Sequence, residues 1–184
     1  MKPVLKNTIH GLVRGMAYWL AYISEVSKIK FTEAESIGEI IRILQVKIPN
    51  AKIDREVNYK DVCPSIKGNQ RADLGIFIDD KCQCLIEVKL NDNTNGGFKK
   101  DIKKLTQIKQ ADSEIDCYVI LLYRNSCQIN QPEEFVAPDG KALKRTLTIN
   151  FGKVSCKVRV RRVSNALCST RANRMKRVVC FEVL

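Results

Sequence analysis

The chain has 184 residues, 45% apolar and 28% charged, with a formal net charge of +12, which suits one soluble domain with an ordinary core. Its longest apolar run near the start, Gly15 to Ile23, is nine residues and too short to span a bilayer. A single histidine, His10, excludes two-histidine ribonuclease chemistry within one chain and histidine-rich metal-nuclease motifs.

Residues His10 to Lys28 read as a first helix, with Val13, Met16, Ala17, Leu20 and Ile23 at helical spacing and His10 as a surface or capping residue ahead of it. Thr32-Glu33-Ala34-Glu35 fits a capping box, with Thr32 as N-cap and Glu35 three positions on. The second helix then carries Ile37, Ile40, Ile41, Leu44 and Ile48 as one stripe and ends at Pro49-Asn50. At about 100° per residue, Glu33 falls within roughly 40° of the stripe's centre, while Glu35 and Glu39 point away. A carboxylate on the inner side of the first turn is unusual.

Lys52 to Tyr59 alternates polar and apolar positions, as a half-exposed strand does, and a loop follows over Asp61 to Asn69. Arg71 to Leu90 reads as two short strands joined by a tight polar turn, Asp79-Asp80-Lys81. A three-residue turn pairs Ile78 with Cys82 and sets Asp73 opposite Glu87, on the face of Lys89. A two-residue turn would separate the two carboxylates onto opposite faces. Like charges opposite each other in a sheet are unfavourable, and a divalent cation gives them a reason to be there. Mg²⁺ prefers oxygen ligands and is held by one or two carboxylates plus waters.

After Leu90, the segment NDNTNGG reads as a loop and Phe98 to Gln110 as a helix. Phe98, Ile102, Leu105 and Ile108 take one side of that helix. Lys99, Lys100, Lys103, Lys104 and Lys109 decorate the rest, where they could meet phosphates. Asp116 to Arg124 is a buried strand.

Asn130 to Gly140 reads as a polar loop. Leu143 to Ile149 and Val154 to Arg162 read as a hairpin, and a further loop covers Ser164 to Asn173. Arg174, Lys176 and Arg177 lead into a last strand, Val178 to Val183. From Phe151 onward there are nine Lys or Arg against one acid, Glu182. Lys157, Arg159 and Arg161 alternate with apolar residues, a basic ridge suited to a phosphate backbone. No repeat, Rossmann glycine fingerprint or Walker A sequence is present. The eight cysteines include no Cys-x-x-Cys pair, which argues against zinc. Five sit in apolar runs, and no signal peptide precedes them. Reduced thiols in a cytoplasmic protein are therefore expected.

Asp73, thirteen residues, then Glu87-Val88-Lys89 resembles the signature of the PD-(D/E)xK nuclease superfamily, with Ala72 in place of the proline. The resemblance covers about half the chain. It implies an α/β fold: a mixed sheet with a restriction-endonuclease-like αβββαβ core over about 32–124. The first helix, 10–28, and a basic β-rich extension over about 141–184 would flank that core in a single domain. It also implies Mg²⁺, with Mn²⁺ able to substitute, held by Asp73 and Glu87, with Lys89 assisting the attacking water. Many family members carry a further glutamate on the helix before the sheet, so Glu33 is the candidate third ligand and Glu39 the fallback. The expected activity is hydrolysis of phosphodiester bonds in nucleic acid, as an endonuclease on DNA. The basic residues Lys99, Lys103, Lys104, Lys157, Arg159 and Arg161 would contact the backbone, and a homodimer would suit cutting both strands. The alternative is a non-catalytic nucleic-acid-binding module on the same fold.

Overall fold

The computed structural model describes residues 2–26, 31–91, 95–123, 146–151, 154–167 and 175–184. Helix α1 (Lys2–Val26) starts earlier than the sequence suggested, because Leu5 and Ile9 continue the stripe of Leu12, Met16 and Leu20 and all five are buried. His10 therefore lies inside the helix, half-buried, and not ahead of it. Helix α2 (Glu33–Lys47) begins on the expected capping box. The Glu35 N–H donates to Thr32 Oγ1 at 3.2 Å, and the Thr32 N–H donates back to the Glu35 carboxylate. Ile37, Ile40 and Leu44 turn inward.

Among the described residues, seven strands form one sheet in the order β1-β2-β3-β4-β7-β6-β5. They are β1 (Lys52–Asn58), β2 (Arg71–Ile78), β3 (Lys81–Asn91), β4 (Asp116–Tyr123), β5 (Thr146–Phe151), β6 (Val154–Leu167) and β7 (Met175–Val183). A one-turn helix, α3 (Tyr59–Val62), takes the last residue of the expected first strand and the start of the expected loop. Of these strand pairs, β3 and β4 run parallel and the others antiparallel. A parallel pair needs a crossover, and α4 (Asn95–Ala111) supplies it. Every residue of β4 is buried, which is why it reads as an unbroken apolar run.

The sheet separates two cores. On one face α1 and α2 pack with Leu74, Ile76, Ile86, Val88, Val178 and Cys180. On the other, Ile102, Leu105 and Ile108 of α4 pack with Leu85, Val119, Val158 and Phe181. Phe98 lies 4.8 Å from Phe181, ring centre to ring centre, and fixes the first half of α4 against β7.

The C-terminal strands are not an appendage. β7 inserts between β4 and β6, pairing Leu121 with Val179 and Val160 with Phe181, so they complete the same sheet. Ser164 to Leu167, expected as loop, belong to β6, and β7 begins at Met175. Asn165 is tolerated in the strand because it meets a polar partner: it pairs with Arg177, whose Nε donates to Asn165 Oδ1 at 2.8 Å. The expected loop at 130–140, the hairpin's first residues 143–145, residues 168–173 and Arg174 lie outside the described residues, as do Cys127 and Cys168. The other six cysteines carry free thiols.

Candidate active site

The hairpin that carries the motif closes differently from expectation. The turn has two residues, Asp79 and Asp80, both with positive φ (51° and 59°), the mirror-image turn that suits the twist of a hairpin. Ile78 therefore pairs with Lys81, and Phe77 with Cys82. One step on, Ile76 pairs with Cys84, so Gln83 is an extra residue in β3. This bulge moves the register by one. Leu74 then faces Ile86, and the next position sets Asp73 across from Glu87 after all. Asp73 Oδ2 accepts the Val88 N–H at 2.7 Å, tying the carboxylate to β3.

The ladder on the other side of Asp73 is interrupted too. Arg55 pairs with Leu74 and Val57 with Ala72, but Glu56, between them, has φ 54° and no partner in the ladder. For a residue with a Cβ that conformation costs about 1–2 kcal/mol. Ile53 packs with the α1/α2 core and Val57 with the α4 core, so the strand changes face at Glu56. Strained backbone beside a carboxylate is the kind of feature that clusters at functional sites.

Around Asp73 and Glu87 the structure gathers two lysines and two more acids. Glu87, from β3, is 1% exposed. Its Oε1 accepts the Tyr59 hydroxyl at 2.9 Å and Lys104 Nζ at 3.0 Å. Lys104 also reaches Asp101 Oδ1, one turn back on α4, at 2.8 Å. Lys89 Nζ lies 3.4 Å from Glu33 Oε1, at the start of α2, and 3.5 Å from Asp101 Oδ2. Asp101 is 3% exposed, and its Oδ2 has no hydrogen-bond partner despite that nearby ammonium. Four carboxylates thus surround two ammonium groups.

The electrostatics follow from that count. Burial, then the negative charges of Asp101 and Asp73, push the Glu87 carboxyl up to about 8, with Lys104 opposing. Burial alone would lower Lys89, but Asp101, Asp73, Glu33 and Glu87 outweigh it and hold the ammonium above its ordinary value. Lys104 is raised in the same way: burial pulls it down, and Asp101 and Glu87 override that. Burial and the neighbouring Glu87 drive the Tyr59 phenol far upward, so it is a neutral donor.

Of the residues singled out from the sequence, Asp73, Glu87, Lys89 and Glu33 come together. Glu39 instead pairs with Arg42 at 2.7 Å. Lys99 and Lys103 are exposed on α4, whereas Lys104 is turned inward onto the acids. Lys157 is exposed. Arg159 and Arg161 are not a free ridge, because both bind Glu182 of β7, at 2.7 Å and 2.9 Å. Val158 belongs to the α4 core, so alternation places Lys157 and Arg159 on the opposite, α1 face of the sheet.

Two participants escaped the sequence reading. Tyr59 was read as a strand end. Asp101 was passed over among the lysines, although it lies within the stripe of Phe98, Ile102 and Leu105, as Glu33 does on α2. Among the described residues, no three His, Cys, Asp or Glu side chains stand at the spacing of a metal site. No described helix is long and apolar enough to cross a membrane. No protein-family model, curated protein or solved structure matches this chain.

Proposed function

We propose that the chain is a metal-dependent nuclease that hydrolyses phosphodiester bonds, an endonuclease on DNA, built on a restriction-endonuclease-like core. The observation that carries this reading is the convergence of Asp73, Glu87 and Lys89 from adjacent strands, with Lys89 held between Glu33 and Asp101. The order α2-β1-β2-β3-α4-β4, from Glu33 to Tyr123, supports it, since it is the αβββαβ order with α3 added.

The donors are of the kind a hard divalent cation prefers: carboxylate oxygens only, with Asp101 Oδ2 buried and without a hydrogen bond. Asp73 and Glu87 would hold Mg²⁺ or Mn²⁺, with Glu33 the further candidate. Such an ion would polarise a phosphate oxygen and lower the pKa of a bound water. Asp73 is fixed by the Val88 N–H, and Glu87 by Tyr59, so both carboxylates are oriented before any ligand arrives. The acids around Lys89 hold it above its ordinary value. It orients the water and steadies the negative charge that develops on the phosphate. Lys99, Lys103 and Lys157, all exposed, would meet the nucleic-acid backbone.

One observation favours a second reading, the non-catalytic nucleic-acid-binding module. Lys104 already neutralises part of the carboxylate group, so the site is partly satisfied by its own side chains. Cleavage separates the two. Supercoiled plasmid, linear duplex, single-stranded DNA and RNA are incubated with Mg²⁺, Mn²⁺ or EDTA. Metal-dependent cleavage lost in Lys89→Ala is the expected result. Salt-sensitive binding without cleavage of any substrate would leave the binding module.

A further inference from the structure

We propose that Lys104 is a tethered counter-ion that a divalent cation displaces, and that Asp101 is a ligand of that cation. This rests on the metal-dependent reading above and adds two residues and a competition to it. Three observations carry it. Lys104 Nζ bridges Glu87 Oε1 and Asp101 Oδ1 at 3.0 and 2.8 Å, as a cation between two carboxylates would. Asp101 is almost wholly buried, and its Oδ2 lacks a hydrogen-bond partner, which is costly for a carboxylate oxygen. The lysine side chain is 31% exposed, so its end has a route to water.

A metal ion and an ammonium cannot share Glu87 and Asp101 at close range, since their repulsion would act in a partly desolvated site. Arrival of the ion therefore swings Lys104 outward, toward the exposed face that already carries Lys103. Before the ion arrives, Lys104 keeps two buried acids from facing each other uncompensated. The arrangement would hold the site folded without metal at the expense of metal affinity.

The test titrates Mn²⁺ into the full chain by calorimetry at pH 8.5, without nucleic acid. Lys104→Met should bind about tenfold or more tighter than wild type, Lys104→Arg should stay close to wild type, and Asp101→Asn should bind more weakly. A second measurement uses wild-type protein alone: labelling by an amine-reactive probe, mapped by mass spectrometry. Lys104 should label several-fold faster with saturating Mn²⁺ than in EDTA, while Lys103 is unchanged. Equal Mn²⁺ affinity in wild type and Lys104→Met, or Lys104 labelling that ignores saturating metal, would overturn the inference. Metal-dependent cleavage by the same wild-type protein would then leave the nuclease reading standing. Failure of every variant to bind Mn²⁺, with no cleavage, would remove both.

Discussion

Two buried glutamates on this sheet have opposite fates. Glu182, on β7, sits between two arginines, and Glu87, on β3, sits among acids. Burial works against ionisation in both. Around Glu182, hydrogen bonds and charge from Arg161 and Arg159 override burial and hold the carboxyl below its ordinary value. Around Glu87, Asp101 and Asp73 reinforce burial, and Lys104 cannot cancel them. The difference lies in the balance of neighbours. Glu182 has two cations to itself and looks like part of the framework. Glu87 shares two lysines with three other acids, an imbalance expected where a further cation or a reacting group belongs.

Substitutions can break or sharpen that contrast. The largest effect is expected at Lys89. Replacing it with Ala should lower metal-dependent cleavage by roughly a hundredfold or more, read as single-turnover rates under saturating metal. Lys89→Arg should recover only part of the activity, because a planar guanidinium cannot occupy the place of a compact ammonium.

Next in size is the framework pair. Glu182→Gln leaves Arg159 and Arg161 without their shared anion and should cost about 1–3 kcal/mol in urea unfolding at neutral pH. Its sign with pH is fixed. A carboxyl lowered in the folded state stabilises above its unfolded value of 4.5, and that stability is lost as pH falls through the lower folded value. Wild type and variant should therefore converge in acid. A gap that persists at low pH would mean that Glu182 acts through packing and not charge.

Glu87 should show the reverse slope. Its folded value is raised from 4.5 to about 8, so the folded chain binds the extra proton across that window. Stability in EDTA should fall as pH rises through it. Glu87→Gln should remove that slope and overtake wild type in melting temperature toward the alkaline end. Metal affinity of the wild type should rise over the same window, because the ion must displace a proton. A flat metal affinity would place the ion away from Glu87.

The smallest effect belongs to the exposed lysine. Lys157→Ala should leave the melting temperature unchanged. It should weaken DNA binding modestly at all sequences and reduce the slope of log affinity against log salt by about one, if Lys157 meets a phosphate. An unchanged slope would assign backbone contact to Lys99 and Lys103 on the other layer.

The parts of this picture legible in sequence are those encoded locally. Thr32 and Glu35 announce the start of α2, the Ile and Leu spacing defines α2 and α4, and the apolar run of β4 marks a strand covered on both faces. Tertiary choices were not legible. Nothing local says that Val178 to Val183 inserts beside β4, or that Arg159 and Arg161 face an acid on the neighbouring strand. Polar Ser164 and Asn165 read as loop because their strand partners are distant in sequence. The site was half legible. The Asp73, Glu87 and Lys89 pattern and the inward placement of Glu33 were visible. Asp101 was hidden among the lysines of α4, although its place in the apolar stripe marked it.

The hairpin adds a point about length. Thirteen residues separate Asp73 from Glu87, and a bare two-residue turn would accommodate an even number if the two are to face each other. Gln83 makes up the difference. What matters is parity, the turn and the bulge taken together, and not the count itself. Removing Gln83 would straighten β3 and leave Leu74 across from Ile86 and Asp73 across from Glu87. Removing Leu85 with the bulge kept would throw Glu87 and Lys89 to the other side. A chain lacking Gln83 should fold and keep its metal response. Related sequences with twelve residues in this interval could thus carry the same site, and a search that demands thirteen would pass over them.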